Sequence, residues 1–150
     1  MREINIFSGG DLAPDLAGIC TLAKTAAAWN SKDFQTEAKQ KTSRIFTLTE
    51  SDNNIKTVLG FCAVRFVFDT AEITNFAILP REQRKHLGTD IFTYTLNFLK
   101  AQGVKEITLE VSSKNIVAQE FYKKFKFTKI NIRKNFYNMG EDALILKLNL

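Results

Sequence analysis

The sequence predicts an α/β (α+β) domain built on a mixed, mostly antiparallel sheet flanked by helices. The predicted elements are a strand, two helices, three strands, and then helix, strand, helix and two strands. The three consecutive strands are joined by short turns, which favours antiparallel pairing. A strand, a crossover helix and a further strand follow, an arrangement that favours a parallel pair. With 150 residues and no repeat or linker, the chain is predicted to form one domain, residues 1–150.

The first part of the chain predicts a strand and two helices. Polar and apolar residues alternate over Arg2–Phe7, and Pro14 fits the first turn of a helix over Leu12–Ala27. A second, short helix follows Ala28, with Asn30 or Ser31 as its cap. One face of the first helix carries Leu12, Leu16, Ile19, Cys20 and Ala23.

The remaining elements follow from periodicity and from breaking residues. Strands are predicted over 44–49, 56–68 and 72–79, with a hairpin turn at 51–54. A helix over about 85–101 stops at Gly103, and a strand over 106–111 leads into a helix over 115–125. Two strands, 127–132 and 143–148, end the chain.

Composition narrows the class of protein. No apolar run approaches the roughly 20 residues of a membrane span, and no signal peptide is evident. Cys20 and Cys62 lie far apart in apolar contexts, which predicts reduced core cysteines in a cytoplasmic protein. The net charge of +5 suits an anionic ligand or nucleic acid, but no zinc spacing or nucleic-acid-binding motif accompanies it. The basic run from Lys123 to Lys134 is interpreted as solvated surface.

The stretch from Phe76 to Gly88 has the pattern of an anion-binding turn. Pro80 ends a strand, polar residues follow, and a helix begins near Lys85. The first N–H groups of a helix have no internal partners, and its dipole adds positive charge there. Arg84 and Lys85 add full charges, so the stretch predicts a site for a phosphorylated cofactor.

This stretch resembles the acetyl-coenzyme A loop of the GCN5-related N-acetyltransferases, Gln/Arg-x-x-Gly-x-Gly/Ala, in Gln83 to Gly88. The wider chain resembles the ribosomal-protein-alanine N-acetyltransferase (RimI-type) branch. The matching pieces are Asn75-Phe76-Ala77-Ile78 with Pro80, Leu109-Glu110-Val111 with Asn115 and Ala118, Phe121-Tyr122 with Phe127, Arg133 to Tyr137, Glu141-Asp142-Ala143, and Trp29 with Phe34.

The resemblance implies a fold and a set of site residues. Strands 72–79 and 105–111 are expected to splay at their C-terminal ends, with the acetyl-pantetheine arm in the notch between them. The backbone N–H of Ile78 would face the thioester carbonyl. The implied cofactor-binding residues are Phe76, Ala77, Ile78, Gln83, Arg84, Lys85, His86, Leu87, Gly88, Thr89, Asn115, Ala118 and Tyr122. No metal site is predicted.

Glu110 and Tyr122 are the predicted catalytic residues. Glu110 is a carboxylate in an apolar strand, and the resemblance implies that it is the general base. The alternative is an exposed strand face shared with Thr108 and Ser112. Tyr122 is implied to protonate the departing thiolate; the alternative is a core tyrosine with a satisfied hydroxyl.

Other residues carry implied or alternative roles. Asn115 would cap its helix, bond the pantetheine arm, or do both, and Thr89 would contact phosphate or simply face solvent. His86, the only histidine, lies in the phosphate loop and is not predicted to be catalytic. The implied substrate-binding residues are Trp29, Glu110, Tyr137 and Glu141.

Four positions depart from the family pattern. His86 replaces a glycine, Ser112 an arginine, Lys126 the glycine of the helix exit, and Phe136 a tyrosine. The overall expectation is direct acetyl transfer from acetyl-CoA to the N-terminal α-amine of a ribosomal protein, without membrane or nucleic acid as partner. The alternatives are a transferase for a lysine, polyamine or small-molecule amine, a non-catalytic acyl-CoA-binding module, and a nucleic-acid binder.

Overall fold

The elements of the computed structural model, which describes residues 1–23 and 26–150, follow the predicted order. Their bounds are β1 Arg2–Ile6, α1 Ala13–Ala23, α2 Ser31–Ala38, β2 Ser43–Asp52, β3 Ile55–Val67, β4 Thr70–Ile78, a 3-10 turn Pro80–Glu82, α3 Leu87–Ala101, β5 Glu106–Ser112, α4 Ile116–Lys124, β6 Thr128–Asn138 and β7 Glu141–Asn149.

The described strands form one sheet with the order β1-β2-β3-β4-β5-β7-β6. Every neighbouring pair is antiparallel except β4 with β5, which is parallel. The predicted fold class, with its mixed sheet and single parallel pair, is therefore confirmed.

Helices cover the two faces of the sheet in different places. On one face α3 and α4 lie over the larger apolar core, which includes Phe92, Leu109 and Tyr122. On the other face α1 and α2 cover only the β2–β4 half, around Phe34 and Phe61. The β5–β7–β6 half of that second face has no described helix over it, so side chains there are open to an incoming substrate.

Several predicted boundaries need correction. Strand β2 continues to Asp52 because the two-residue turn Asn53-Asn54, both in the left-handed region, keeps the hairpin paired to its end. Strand β6 likewise reaches Asn138, because it pairs with β7 up to Glu141. In the predicted first helix, Lys24 and Thr25 lie outside the described residues, and Ala26 and Ala27 are not helical.

Two local predictions are confirmed. Asn30 rather than Ser31 caps α2, and a capping box with Asp33 completes the helix start. Cys20 and Cys62 are buried and free, and burial raises the pKa of both thiols, that of Cys62 to about 12. Neither thiol is therefore a reactive nucleophile at neutral pH.

Candidate active site

The central feature of the site is the point where β4 and β5 separate. Their parallel pairing runs only from Thr70 with Glu106 to Ile73 with Leu109, although β4 continues to Ile78 and β5 to Ser112. The pairing ends where β4 is irregular: Ile73 lies opposite Val64 and Asn75 opposite Ala63, so Thr74 is an extra residue. A β-bulge bends its strand and interrupts the ladder, which gives a physical reason for the splay.

The bulge also sets which groups of β4 face the gap. The N–H of Leu79 donates to the carbonyl of Leu59 in β3 at 2.7 Å. Because backbone groups alternate along a strand, the N–H of Ile78 points to the opposite edge, where β5 no longer pairs. The carbonyl of Ile78, on that same edge, accepts a hydrogen bond from Nε2 of Gln83 at 3.2 Å. The structure therefore places the N–H of Ile78 at the edge of the gap, and its role toward the thioester stays a prediction.

Gly60 on β3 lets the end of β4 approach closely. A Cβ at Gly60 would lie 2.5 Å from Cδ1 of Ile78 and 2.9 Å from the carbonyl oxygen of Ala77. We expect Gly60→Ala to destabilise the fold by about 1–3 kcal/mol, as overpacked cores usually do, and to weaken coenzyme binding by displacing Ile78. Chemical denaturation and calorimetry would check this. Gly18→Ala, where a Cβ meets nothing within 4 Å, is the control; equal effects of the two substitutions would contradict the argument.

Helix α3 begins later than the sequence predicts, because of the loop that precedes it. The helix begins at Leu87 rather than near Lys85, because Arg84 and His86 adopt left-handed backbone conformations, with φ of 66° and 63°. His86 is the N-cap and makes no side-chain capping bond, unlike Asn30 of α2 and Asn115 of α4. The first-turn N–H groups of this 15-residue helix are therefore left available to an anion.

The charges of this loop are partly neutralised. Nζ of Lys85 lies 2.9 Å from Glu82, which also lies 3.7 Å from Arg81, and the hydrogen bond from Lys85 holds the pKa of Glu82 below its usual range. Within residues 1–23 and 26–150, Arg84 forms no ion pair. Of the two cations that the sequence places here, Arg84 is thus the one free to meet a phosphate.

His86 carries a side chain where its backbone conformation favours glycine. Left-handed backbone costs a non-glycine residue about 1–2 kcal/mol, although glycine also makes the unfolded chain more flexible. We expect His86→Gly to leave unfolding free energy unchanged or raised by up to about 1 kcal/mol and to keep or tighten coenzyme binding. Thermal denaturation and calorimetry test this. A hundredfold loss of activity in the folded variant would instead show that the imidazole takes part in the reaction.

An aromatic cluster lines the α3/α4 side of the gap. Phe76 of β4 lies 5.5 Å from Phe121 and 6.5 Å from Tyr122, measured between ring centroids. Tyr122 is buried, and that burial raises the pKa of its phenol well above the usual range. A Cβ at Gly88 would point into the same cluster, 3.6 Å from Phe76, Ile78 and Phe121.

Asn115 and Ala118 begin α4 beside this cluster. Oδ1 of Asn115 accepts the N–H of Ala118 at 3.1 Å, which confirms the predicted cap. Leu87 is buried in the core, whereas Gln83 and Thr89 lie at the surface.

Glu110 lies on the other face of the sheet from Tyr122. Ile107, Leu109 and Val111 point into the α3/α4 core, so Thr108, Glu110 and Ser112 face the uncovered half. The carboxylate of Glu110 is 30% exposed and lies 3.0 Å from Nη1 of Arg133. The two predicted catalytic residues are therefore not in contact but flank the gap from opposite faces.

Polar residues of the β6–β7 hairpin surround Glu110. Burial and the nearby carboxylates of Glu110 and Glu141 raise the pKa of Tyr137. The hydroxyl of Ser112 donates to Glu141 and holds the pKa of that carboxyl below its usual range. Glu110, Tyr137 and Glu141 are thus brought together, and their role in substrate binding stays a prediction.

Trp29 lies apart from this cluster. It follows α1 and stacks edge-on against Phe34 with ring centroids 5.3 Å apart. It borders a cavity of about 270 Å³ that Cys20 and Asn30 also line.

The sequence alone assigns no individual role to three residues that shape the site: Gly60, Asn75 and Arg133. A glycine inside a long apolar strand is a signal for close backbone approach, so Gly60 was detectable. Arg133 reaches Glu110 across the intervening β7, and no local pattern encodes such a contact.

Among the described residues there is no group of three or more metal-ligand side chains, and no helix long and apolar enough to cross a membrane.

Comparison with known proteins agrees with this geometry. The sequence model of the acetyltransferase (GNAT) family matches residues 16–127. The ribosomal protein bS18-alanine N-acetyltransferase of Haemophilus ducreyi is 34% identical over 106 residues, covering 68% of this chain and 70% of the relative.

Solved structures show the same fold. The ribosomal-protein-S18-alanine N-acetyltransferase of Escherichia coli superposes with a TM-score of 0.79 at 27% identity, covering 99% of this chain and 94% of the other. A GNAT family acetyltransferase from Elizabethkingia anophelis with acetyl-CoA bound gives 0.76 at 18% identity, covering 99% and 98%. The chain therefore belongs to the acetyltransferase (GNAT) family, and it is an N-acetyltransferase.

Proposed function

We propose that this enzyme transfers acetyl from acetyl-CoA to the N-terminal α-amine of a ribosomal protein, in the cytoplasm and by direct transfer. The observation that carries the proposal is the gap between β4 and β5, with an acidic residue on one face and a protonated phenol on the other. The relatives named for ribosomal protein alanine acetylation support the choice of acceptor.

The residues around the gap suit an acyl-coenzyme A. The uncapped first turn of α3 and Arg84, which forms no ion pair with the described part of the chain, would hold the pyrophosphate. The rings of Phe76 and Phe121, with Ala118 and Asn115, would border the pantetheine arm. Bound there, the coenzyme supplies an acetyl group activated as a thioester. The N–H of Ile78 would then donate to the carbonyl oxygen as negative charge develops on it.

The chain's own acid and base act on different protons. Glu110, on the open face, would take the proton from the acceptor amine. Tyr122, on the α3/α4 face, would give its proton to the thiolate. Burial raises the pKa of the phenol, so Tyr122 keeps this proton across the neutral range. No described cysteine suits a covalent acetyl carrier, since both thiols are buried and their pKa values are raised.

An α-amine suits this arrangement. Its pKa is near 8, compared with about 10.4 for a lysine side chain, so a carboxylate can deprotonate it at neutral pH. Glu110 is already engaged by Arg133, and the acceptor's ammonium group would compete with that guanidinium for the carboxylate.

A peptide panel tests the proposal. Peptides that differ only at the N-terminus, together with versions blocked at the α-amine but carrying a free lysine, are incubated with acetyl-CoA and read by mass spectrometry. Acetylation of the α-amine alone is the expected result. Acetylation of the blocked lysine peptides would overturn the choice of acceptor, and coenzyme binding without any turnover would favour a non-catalytic acyl-CoA-binding module.

A further inference from the structure

Asn75 is a buried polar residue at the splay point whose side chain the reaction does not use. It lies on β4 directly after the bulge at Thr74 and is 5% exposed. Its Oδ1 accepts the N–H of Ala27 at 3.1 Å, and its Nδ2 donates to the carbonyl of the same residue at 3.1 Å. Nδ2 also lies 3.7 Å from the sulfur of Cys20 in α1.

This two-point pairing requires an amide of this length. A carboxylate accepts but cannot donate, an aliphatic side chain does neither, and glutamine would displace the group by one methylene. The side chain of Asn75 thus pairs with the backbone of Ala27 much as a neighbouring strand would. It holds in place a segment that itself belongs to no helix or strand.

The held segment leads directly to Trp29. The carbonyl of Ala27, already bonded to Asn75, also accepts the N–H of Trp29 at 2.8 Å, which closes a tight turn. The indole then packs edge-on against Phe34, and Asn30 caps α2 immediately afterwards. A chain of contacts therefore runs from β4, through Ala27, to Trp29.

The segment lies on the acceptor side of the sheet. Asn75 contacts α1 and Ala27 on the α1/α2 face, while its neighbours Phe76 and Ile78 face the α3/α4 core. Glu110 faces the same side as Asn75, on the strand next to β4. The segment 26–29 therefore lies on the same face of the sheet as Glu110.

We propose that Asn75 is a positioning residue that acts through Ala27 and Trp29 to fix one wall of the acceptor site. The inference rests on the proposed function in one respect only, which is the identity of the acceptor that this wall contacts. Because the coenzyme residues lie on the other face, loss of the Asn75 amide is expected to affect the acceptor and not the coenzyme.

The test uses Asn75→Leu and Asn75→Asp, which keep side-chain size and remove the donor. Thr47→Val is the matched control, because it also removes a side-chain hydrogen bond of a buried residue, to the carbonyl of Asn5 at 3.2 Å, but between β2 and the edge strand β1, away from β4 and the gap. Trp29 is the only tryptophan, so acrylamide quenching of its fluorescence reports on this segment without any turnover.

Both Asn75 variants are expected to expose Trp29 to the quencher. They are also expected to raise the KM for an acceptor peptide with a free α-amine about tenfold, the equivalent of one lost buried hydrogen bond. Coenzyme affinity and kcat should stay within about twofold, and Thr47→Val should resemble the wild type in all four measurements.

Unchanged quenching in the folded Asn75 variants would overturn the inference. So would a parallel loss of coenzyme and acceptor affinity, which indicates general destabilisation. If the wild type acetylates no peptide, the proposed function fails, and the quenching experiment still decides the positioning role.

Discussion

Replacing Glu110 with glutamine is expected to lower turnover by ~10²–10⁴-fold, the usual range for one acid–base group. Glutamine keeps the shape of the side chain but cannot accept the proton of the acceptor ammonium. The loss should shrink as the pH rises through about 8, the pKa of an α-amine, because more of the acceptor is then already neutral. The measurement is kcat and kcat/KM against pH for the wild type and the variant.

The same strand offers a matched control. Glu106 faces the same side of β5 and lies 2.7 Å from Nζ of Lys147, as Glu110 lies 3.0 Å from Arg133. Each pair is partly exposed and contributes at most about 1 kcal/mol to stability, so neither substitution should unfold the chain. Glu106→Gln should keep wild-type turnover. Equal rates for the two variants, or a Glu110→Gln loss that is the same at every pH, would remove Glu110 from the role of base.

Tyr122→Phe is expected to lower turnover by about 10²-fold or more, since a thiolate must then leave without a nearby proton donor. Burial raises the pKa of the phenol above its usual range, so the wild-type residue stays protonated through neutral and mildly alkaline pH. The fold loss should therefore be constant over that range, in contrast to the loss for Glu110→Gln. Coenzyme affinity should be nearly unchanged, because only the hydroxyl is removed.

Tyr94→Phe is the control, because it removes a phenolic hydroxyl at a position outside the candidate site. Tyr94 lies on α3, is 43% exposed and stacks on Phe46 with centroids 5.5 Å apart, away from the aromatic cluster at the gap. Its substitution should leave turnover unchanged. If Tyr122→Phe keeps full activity, or if its loss is matched by weaker coenzyme binding, Tyr122 has only a structural role.

The parts of the site that follow from local pattern were predictable from the sequence. Alternation along β5 separates Glu110 from the buried Leu109 and Val111, and Pro80 with the polar loop after it predicts the end of β4 and a new helix. The parallel β4–β5 pair follows from the crossover through α3. These features depend on residues close together in the chain, where periodicity and breaking residues carry the information.

The remaining features depend on contacts between distant residues. The bulge at Thr74 reverses which side chains of β4 face each core, and nothing in Ile73-Thr74-Asn75 alone indicates an extra residue. The pairing of Asn75 with Ala27 spans 48 positions, and it coincides with the non-helical backbone of a residue for which the sequence predicts helix. Periodicity and helix propensity do not register such tertiary hydrogen bonds.

The backbone conformation of the loop from Gln83 to Gly88 is another feature that the sequence does not predict. A match to the family pattern places Gln83 to Gly88 in the loop, but it does not say how His86 is accommodated where glycine is usual. The structure accommodates it with left-handed backbone at Arg84 and His86, which delays the helix to Leu87. The same backbone leaves the first-turn N–H groups of α3 without a side-chain cap, where an anion can bind them.

The central claim is that acetyl transfer takes place in the gap between β4 and β5, with the base on one face and the acid on the other. A crystal structure with a bisubstrate analogue, coenzyme A joined through an acetyl group to the α-amine of a short peptide, tests it most directly. The account predicts the acetyl carbonyl oxygen at about 3 Å from the backbone nitrogen of Ile78, the peptide nitrogen on the Glu110 face and the sulfur on the Tyr122 face. An analogue whose acetyl group lies outside the gap, or whose sulfur and nitrogen are on the reverse faces, would contradict it.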